Sequence, residues 1–323
     1  MKVLVTGGAG YIGSFMTRRL LDDAHEVVVV DSLERGHKQY IDDRATFVKG
    51  DLLDKEFVYS LFSAAPFDGV IHFAGYISMG ESMQNPSLYF HDNVYSVVNI
   101  IDGMRKNKSN NFIFSSTAGV YGNPKEIPIA EDHPKNPENP YGESKLTAER
   151  LLNWYQKIFT IHYACLRYFN ASGAALDGSY GESHEPETHI IPNAMKAALS
   201  NQPFTLFGDD YQTNDGTCVR DYIHVLDLVE AHVLALQKLQ KDGGGRHFNV
   251  GTGNGYSNKE VLTMIKNVTG KDFVIDIQKR RPGDADILIA DVAHIKKELG
   301  FVTKHSDLET IIQSAYLWHK DQI

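Results

Sequence analysis

Short apolar runs alternate with helical patterns through the first half of the chain. The runs cover residues 3–5, 27–30, 45–48, 69–73, 111–114 and 161–168, and helical patterns lie near 11–22, 54–64, 86–106 and 141–159. Runs of this kind are too apolar for half-exposed strands and are typical of strands buried on both faces. The alternation therefore predicts a doubly wound, Rossmann-like parallel sheet of the α/β class.

The pattern changes after residue 170. A stretch rich in Gly, Ser, Glu and His at 171–189 indicates a loop. Three helices are predicted beyond it: one near 225–240, one after a capping box of Ser257 and Glu260, and one between Asp291 and Gly300. We therefore expect a first domain over 1–170, which also receives 224–250, and a smaller mixed α/β domain over 171–323.

Charge and cysteine content restrict the partners and the compartment. The 323 residues carry 41 acidic and 32 basic side chains, a net charge of -9, which argues against binding to nucleic acid or to an anionic membrane. Only Cys165 and Cys218 are present, so a disulfide framework is not expected and a cytoplasmic location is. Apolar stretches also fall short of the ~18 residues of a spanning helix, and glycines interrupt the N-terminal run too early for a signal peptide.

The segment GGAGYIG at residues 7–13 follows the first predicted strand and opens the first predicted helix. Gly8, Gly10 and Gly13 fit the G-x-G-x-x-G spacing, and Gly7 gives an alternative frame. Glycines allow a tight turn and close approach to a pyrophosphate, which the helix N-terminus then attracts. Strand, glycines and helix in this order predict a dinucleotide site.

An acidic residue closes the second predicted strand. Asp31 lies 18 residues beyond Gly13, where a carboxylate accepts hydrogen bonds from the adenosine ribose hydroxyls. A carboxylate there repels a 2′-phosphate, so Asp31 favours NAD over NADP. Arg35 is the opposing signal, because a nearby arginine pairs with that phosphate, but it is also typical of a solvated loop.

Tyr141 and Lys145 stand four residues apart, after Asn139 and Pro140, which suit the N-cap and first position of a helix. This spacing puts both side chains on one helix face. A free tyrosine has a pKa near 10, and a neighbouring ammonium and a cationic nicotinamide would lower it. The fifth predicted strand ends in hydroxyl residues at 115–117, so these groups together predict proton and hydride transfer at a carbinol.

At this point the chain resembles the UDP-galactose 4-epimerases of the extended short-chain dehydrogenase/reductase type, over essentially its whole length. The resemblance rests on the segments VTGGAGYIG (5–13), VIHFAG (70–75), FIFSS (112–116), PYG (140–142), LRYFN (166–170) and VRDYIHV (219–225). It implies reversible epimerisation of a UDP-hexose at carbon 4, by transient hydride transfer to tightly held NAD. It also implies a homodimer and a role in galactose metabolism.

The resemblance assigns a role to each matching position. Catalysis falls to Tyr141 as base, Lys145 as cofactor-binding cation and Thr117 as partner of the sugar oxygen. The cofactor contacts are Gly7, Gly10, Tyr11, Ile12, Gly13, Asp31, Ser32, Asp51, Leu52, Phe73, Ala74, Gly75, Asn93, Ser115, Lys145 and Tyr168. The substrate contacts are Thr117, Tyr141, Asn170, His189, Arg220, Arg281, Asp284 and Leu288.

The chain departs from the family at two positions. Threonine replaces the common serine at Thr117 and keeps the hydroxyl, whereas Ile77 stands where some members place a lysine against the cofactor. At Leu288 the family varies, and a tyrosine there is associated with exclusion of N-acetylated sugars. Leucine predicts a roomier pocket that also accepts UDP-N-acetylglucosamine.

A histidine- and glutamate-rich loop gives a weaker signal. His184, Glu185, Glu187 and His189 lie close together in it, but their spacing fits no familiar ligand pattern and the chemistry requires no metal. No metal is therefore expected. In the family that the chain resembles, His189 aligns with a position that contacts the diphosphate.

Two other functions remain open from the sequence. A sugar-nucleotide 4,6-dehydratase needs acidic residues directly after the active-site threonine, where this chain has Ala118 and Gly119. A non-catalytic dinucleotide sensor need not keep Tyr141 and Lys145, and it would show no turnover.

Overall fold

The computed structural model describes residues 1–64, 66–281 and 284–322. The chain forms two compact units. The first contains Met1–Tyr121, Lys135–Arg167 and Val229–Phe248, and the second contains Gly122–Pro134, Tyr168–Leu228 and the chain from Asn249 onward. The division differs from the predicted one at residues 122–134, 168–170, 224–228 and 249–250, which belong to the second unit.

The strands and helices have the following bounds. The strands are β1 Lys2–Thr6, β2 Glu26–Asp31, β3 Thr46–Lys49, β4 Gly69–His72, β5 Asn111–Thr117, β6 His162–Tyr168, β7 Asn170–Ser172, β8 Phe204–Phe207, β9 Val219–Arg220, β10 Tyr222–His224, β11 Gly245–Val250, β12 Tyr256–Ser257, β13 Ile275–Gln278 and β14 Ile287–Leu288. The helices are α1 Tyr11–Asp22, α2 Lys55–Ala64, α3 Met79–Gln84, α4 Pro86–Lys106, α5 Pro140–Ile158, α6 Ile190–Ser200, α7 Val225–Asp242, α8 Asn258–Thr269, α9 Ala293–Leu299 and α10 Leu308–His319.

Seven strands form one sheet in the order β11-β6-β5-β4-β1-β2-β3. The pairings of β1 with β2 and β4, of β2 with β3, and of β4 with β5 are parallel. The chain runs outward from β1 to β3 and then returns to continue from β4 on the other side of β1. This confirms the predicted doubly wound α/β fold and puts the switch of direction between β1 and β4. Ligands bind at such a point, beyond the carboxyl ends of the strands.

The apolar runs fill the core of the first unit. Leu4, Val70, Phe112 and Phe114 have no exposed surface, and they belong to a cluster that also receives residues of α2, α4 and α5. Each such side chain stabilises the fold by about 1.5–3 kcal/mol relative to its exposed state. The strands are buried on both faces because helices cover the sheet, as the unbroken hydrophobicity of the runs predicts.

The second unit contains smaller sheets. β7 pairs with β10 in parallel, β12, β9 and β14 form a three-stranded sheet, and β8 pairs with β13. Its core is formed mainly by α6, α8 and α10. The predicted capping box is confirmed, because Ser257 and Glu260 cap α8 reciprocally and Gly270, at a φ of 63°, ends it.

The remaining helices of the second unit show the limits of cap signals. The third predicted helix, α9, has Val292 at its N-cap instead of Asp291, although the Asp291 carboxylate still accepts the backbone N–H of Ala293 at 2.8 Å. Two helices of this unit, α6 and α10, were not predicted from the sequence. His189 gives α6 no side-chain cap, whereas α10 has a usable signal, the capping carboxylate of Asp307.

Among the described helices, none is both long and apolar enough to cross a bilayer.

Candidate active site

The glycine-rich turn after β1 packs closely against the chain that follows β4. A side chain at Gly7, where φ is +72°, would put its Cβ 2.5 Å from the backbone nitrogen of Ala74. A Cβ at Gly13 would lie 2.2 Å from the Gly7 carbonyl oxygen. Only glycine fits at these two positions. The turn therefore has no side chains at these two positions, and its backbone lies at the switch point of the sheet.

The N-terminus of α1 can hold an anion. Gly10 is its N-cap and has no side chain to bond the first-turn N–H groups, and a Cβ there would meet only the Gly7 oxygen at 3.3 Å. The positive end of the helix dipole thus faces a side with room for a pyrophosphate. Tyr11 packs edge-on against Phe15 in the first turn, and Ile12 beside it is partly exposed.

Asp31 is buried at the end of β2, and its carboxylate is held by backbone. Oδ2 accepts from the Ala9 N–H at 3.0 Å, and Oδ1 accepts from the Leu33 N–H at 2.8 Å. A carboxylate oxygen can accept more than one hydrogen bond, so both oxygens of Asp31 can still accept from ribose hydroxyls. Arg35, the opposing signal, forms a 2.9 Å ion pair with Glu81. The residues present therefore fit NAD.

The other adenosine-side predictions lie on nearby turns of the first unit. Ser32 is exposed directly after Asp31, and its hydroxyl accepts from the Glu34 N–H at 3.3 Å. Asp51 is exposed with its carboxylate on the Leu53 N–H at 2.9 Å, and Leu52 is buried. The structure thus puts these side chains after β2 and β3.

Asn93 forms hydrogen bonds to the chain that follows β4. Its Oδ1 accepts from the Tyr76 N–H at 2.8 Å, and its Nδ2 donates to the Tyr76 carbonyl at 3.0 Å and to the Ser144 hydroxyl at 3.1 Å. The amide thus fixes the chain after β4, which contains Phe73, Ala74 and Gly75. The predicted contact of Asn93 with the cofactor stays a prediction.

The catalytic candidates meet where β5 ends and α5 begins. The Asn139 side chain accepts the Gly142 N–H at 2.9 Å and so starts α5 just before Tyr141. The Thr117 oxygen accepts the Gly119 N–H at 3.0 Å, and its hydroxyl bonds Tyr141. One turn further along α5, Lys145 donates from Nζ to the Ser115 carbonyl at 3.0 Å.

Burial sets the charges of this group. It lowers the pKa of Lys145, which is 2% exposed, to about 8. It also raises the pKa of Tyr141, and the hydrogen bond from Thr117 offsets this only in part. In the chain alone the pKa of Tyr141 therefore lies above that of free tyrosine, and the combined lowering by the ammonium and a cationic nicotinamide stays a prediction for the NAD-bound chain. A tyrosinate here needs additional positive charge, which a bound oxidised nicotinamide carries.

A buried ion pair links α5 to β6 next to these catalytic candidates. Arg167 on β6 donates to both oxygens of Glu149 on α5, at 2.9 and 2.6 Å, and Ser116 donates to the same carboxylate at 2.6 Å. The segment LRYFN contained Arg167, but its role was missed because its partner lies 18 residues away. Tyr168, the last residue of β6, is also buried.

The predicted nucleotide contacts of the second unit are held by backbone. Arg220 is 12% exposed, and its Nη1 donates to the carbonyls of Val219 and Ala285 at 2.9 and 2.8 Å. Its Nη2 lies 3.9 Å from the Asp284 carboxylate, and Leu288 is its register partner on β14. The guanidinium is thus fixed beside Asp284 and Leu288.

The other substrate candidates of this unit lie nearby on different elements. The guanidinium of Arg281 lies 4.1 Å from the centre of the Phe207 ring. Asn170 donates from Nδ2 to the Asp221 carbonyl at 3.1 Å. Asp221 itself was missed as a supporting residue. Its buried carboxylate accepts four hydrogen bonds, from the N–H and hydroxyl of Thr252 and the N–H groups of Gly253 and Ala290.

Asn170 and His189 share a pocket of the second unit. Its lining comprises Asn170, Ala171, Ser172, Glu182, His189, Ile190, Ile191, Pro192 and Tyr222. The Nδ1 atom of His189 lies 2.5 Å from Glu182 and 3.4 Å from Glu187. Burial lowers the pKa of His189, but these carboxylates outweigh it and raise the pKa to about 10.

Comparison with known proteins gives consistent matches. The profile of the NAD dependent epimerase/dehydratase family matches residues 3–251. A UDP-glucose 4-epimerase of Lactobacillus helveticus is 46% identical over 321 residues, which cover 99% of this chain and 97% of that protein.

Solved structures agree with the sequence matches. A UDP-glucose 4-epimerase from Brucella ovis in complex with NAD superposes with a TM-score of 0.94 at 44% identity, covering 98% of this chain and 97% of that one. The UDP-Glc/GlcNAc 4-epimerase of Campylobacter jejuni gives a TM-score of 0.87 at 41% identity, with 99% of both chains covered.

Proposed function

Because the chain belongs to the NAD dependent epimerase/dehydratase family, we propose that it epimerises UDP-hexoses at carbon 4 with bound NAD. UDP-glucose and UDP-galactose are the proposed substrate pair, as for the named relatives. The observation that carries the proposal is the grouping of Thr117, Tyr141 and Lys145 on the unit that also holds the glycine turn and Asp31. A binding protein without chemistry would have no use for that grouping.

Tyr141 is the proposed general base and acid. Its phenolate oxygen would take the proton from the sugar hydroxyl at carbon 4, and the resulting phenol would return the proton after the sugar has turned. When bound, NAD supplies a reversible hydride acceptor for that carbon. Thr117 is oriented by the Gly119 N–H, so its hydroxyl proton is available to the phenol oxygen or to the sugar oxygen. The buried Lys145 ammonium is fixed by the Ser115 carbonyl and would hold the cofactor.

Residues of the second unit are the proposed nucleotide contacts. Arg220 and Arg281 suit the diphosphate, since a guanidinium makes paired hydrogen bonds to phosphate oxygens. Asp284 and Asn170 add polar contacts to the nucleotide. Substrate affinity then comes from UDP, and the loosely held hexose can present either face to Tyr141. Such anchoring positions the reacting carbon without fixing its orientation.

The dehydratase alternative lacks support at the critical positions. Ala118 and Gly119 continue from Thr117 into a short 3-10 helix, and Ala118 is buried. Elimination of water requires an acid and a base beside the sugar, and neither residue can act as one. Epimerisation needs only the groups that Thr117, Tyr141 and Lys145 provide.

A cofactor measurement combined with an activity assay tests the proposal. Untagged protein, purified without added dinucleotide, is expected to release NAD on denaturation. It should convert UDP-galactose to UDP-glucose, and the reverse, without added NAD, as separation of the products would show. Release of NADP, or of no dinucleotide, would overturn the cofactor assignment. Absence of conversion in NAD-loaded protein would overturn the epimerase assignment.

We further propose that the chain forms a homodimer through α4 and α5. These helices pack together and leave large apolar side chains exposed, namely Phe90, Tyr95, Trp154 and Ile158. Apolar surface of this kind is typical of subunit interfaces. Trp154→Glu should shift the sedimentation of the protein toward the monomer. Val274→Glu, an equally exposed apolar position elsewhere, serves as the control and should not.

A cytoplasmic location and a place in galactose metabolism complete the proposal. Both cysteines are free and buried, which fits a reducing compartment. Interconversion of UDP-galactose and UDP-glucose would connect galactose to glucose metabolism. Fractionation of cells that express the chain would test the location.

A further inference from the structure

The loop before α6 brings four potential metal ligands together. Glu182, His184, Glu187 and His189 each offer one ligand atom, and these atoms all lie within 4.8 Å of one another. The Nδ1 atom of His184 lies 2.9 Å from Glu182 and 4.0 Å from Glu187, and that of His189 lies 2.5 and 3.4 Å from the same carboxylates. Glu185, which the sequence grouped with these residues, is exposed, and Glu182 takes its place in the cluster.

These spacings suit a tetrahedral ion. Zn²⁺ binds imidazole nitrogen and carboxylate oxygen at about 2.0–2.2 Å, so neighbouring ligands of a tetrahedron lie roughly 3.3–3.6 Å apart. The four observed nitrogen–oxygen distances lie on both sides of that value. Displacements of under about 1 Å would bring all four to it, which small side-chain rotations achieve.

Both carboxylates of the cluster are buried. The side chains of Glu182 and Glu187 are only 5% and 3% exposed. Two carboxylates removed from water require cationic partners or metal coordination. Their closest partners in the structure are the two histidines, and an imidazole that releases its Nδ1 proton becomes a good ligand for Zn²⁺.

A second cluster of ligand residues in the first unit shows the contrast. Glu149, Cys165 and His247 also lie within ligand distance of one another. There, however, the carboxylate already binds the Arg167 guanidinium through both oxygens, which satisfies its charge. In the cluster before α6 the carboxylates contact imidazoles, which can bind a metal through nitrogen, whereas the Arg167 guanidinium cannot.

We propose that Glu182, His184, Glu187 and His189 bind one Zn²⁺ or a similar divalent transition-metal ion. The ion fixes the loop before α6, and through Glu182 and His189 it fixes part of the pocket wall that includes Asn170. It takes no part in the hydride chemistry. Coordination through Nδ1 leaves the Nε2 hydrogen of His189 as a donor for a ligand, and the metal sets that tautomer.

Metal analysis of matched variants tests the proposal. Untagged protein is treated with a chelator, dialysed against Zn²⁺, passed through a desalting column and analysed for metal by mass spectrometry. Wild type is expected to retain about one ion per chain. His184→Asn and Glu187→Gln should weaken Zn²⁺ binding at least about tenfold, whereas Glu185→Gln, the same change of charge at an exposed position of the loop, should not. Loss of metal in all variants alike, or no metal in wild type, would overturn the proposal.

A spectroscopic measurement on wild type removes dependence on how the variants fold. Chelator-treated protein titrated with Co²⁺ should develop the strong visible absorption of a tetrahedral ion, and Zn²⁺ should abolish it. Saturating Zn²⁺ should also raise the Tm of wild type and of Glu185→Gln, because a ligand that binds only the folded chain stabilises it. Weak octahedral absorption alone would indicate adventitious binding and overturn the site. Neither result bears on Tyr141 chemistry, so the epimerase proposal stands or falls separately.

Discussion

The two units hold their functional groups in different ways. In the first unit, Lys145 is almost completely buried, and burial lowers its pKa to about 8 and raises that of Tyr141. In the second unit, Arg220 and Asp284 keep contact with solvent, and backbone carbonyls fix the orientation of the arginine. Reactivity in the first unit therefore depends on desolvation, whereas recognition in the second depends on a fixed geometry of donors.

This difference predicts which kinetic quantity a mutation in each unit should change. Interactions that change during the reaction affect turnover, and interactions made equally in ground and transition states affect substrate binding. First-unit variants should therefore change kcat or the free energy of unfolding, and second-unit variants should change KM or substrate choice.

Tyr141→Phe should have the largest effect. Loss of a general base lowers kcat at least ~100-fold, while NAD retention and UDP binding persist because the ring still fills its position. Turnover and UDP affinity are measured side by side. Tyr155→Phe, on the same helix and bonded to Asp102, is the control and should turn over normally. Near-normal kcat in the Tyr141 variant would remove that residue from the mechanism.

Arg220→Ala should raise KM roughly 10–100-fold and change kcat little, because a charged hydrogen bond contributes about 1.5–3 kcal/mol. Steady-state kinetics with UDP-galactose and calorimetry with UDP would measure both quantities. Arg44→Ala, an exposed arginine paired with Asp42, should leave them unchanged. A large loss of kcat with unaltered UDP binding would contradict the division between the units.

Lys145→Met should stabilise the chain while lowering its activity. The pKa of Lys145 is about 8 in the folded chain against an ordinary 10.5, so its charge costs about 3 kcal/mol at pH 7. Loss of the bond to Ser115 offsets about 1 kcal/mol, which leaves about 2 kcal/mol of net stabilisation.

The pH dependence gives the sign of this effect. Between pH 8 and 10.5 the unfolded chain binds more protons at this lysine, so the stability of wild type rises relative to that of the variant. Chemical denaturation of dinucleotide-free protein at pH 7 and near pH 10 measures the difference. Lys241→Met, at an exposed lysine, should show no such gap. A less stable Lys145 variant at pH 7 would show that burial of the charge is not the dominant cost.

Leu288→Tyr should have the smallest effect and act only on substrate choice. Leu288 is the register partner of Arg220, so we expect its side chain to bound the sugar end of the substrate. Wild type should epimerise UDP-N-acetylglucosamine as well as UDP-glucose, and the tyrosine variant should lose roughly tenfold or more on the first alone. Leu288→Met, which conserves volume, is the control. A wild type that rejects the N-acetyl sugar would remove Leu288 from specificity.

Local signals predicted much of the first unit. The bounds of α1 and α4 match the helical patterns, and the glycine turn lies between β1 and α1 as the motif requires. The pairing of Tyr141 with Lys145 followed from helical spacing. The hydrogen-bond partners of Asn93 and Arg167 could not be predicted from local signals. These partners lie at least 17 and 18 residues away, so only the folded chain brings them together.

The sequence alone determined the alternation of strands and helices and the glycine turn after the first strand. It also determined the spacing of Tyr141 and Lys145 on one helix and the hydroxyl residues that end the fifth strand. These follow from periodicity and from the backbone freedom of glycine, which act over a few residues. The tertiary structure alone decided the direction of the Tyr141 pKa and the replacement of Glu185 by Glu182 beside the two histidines. Both depend on desolvation and on distances between separate parts of the chain, which are defined only once the chain has folded.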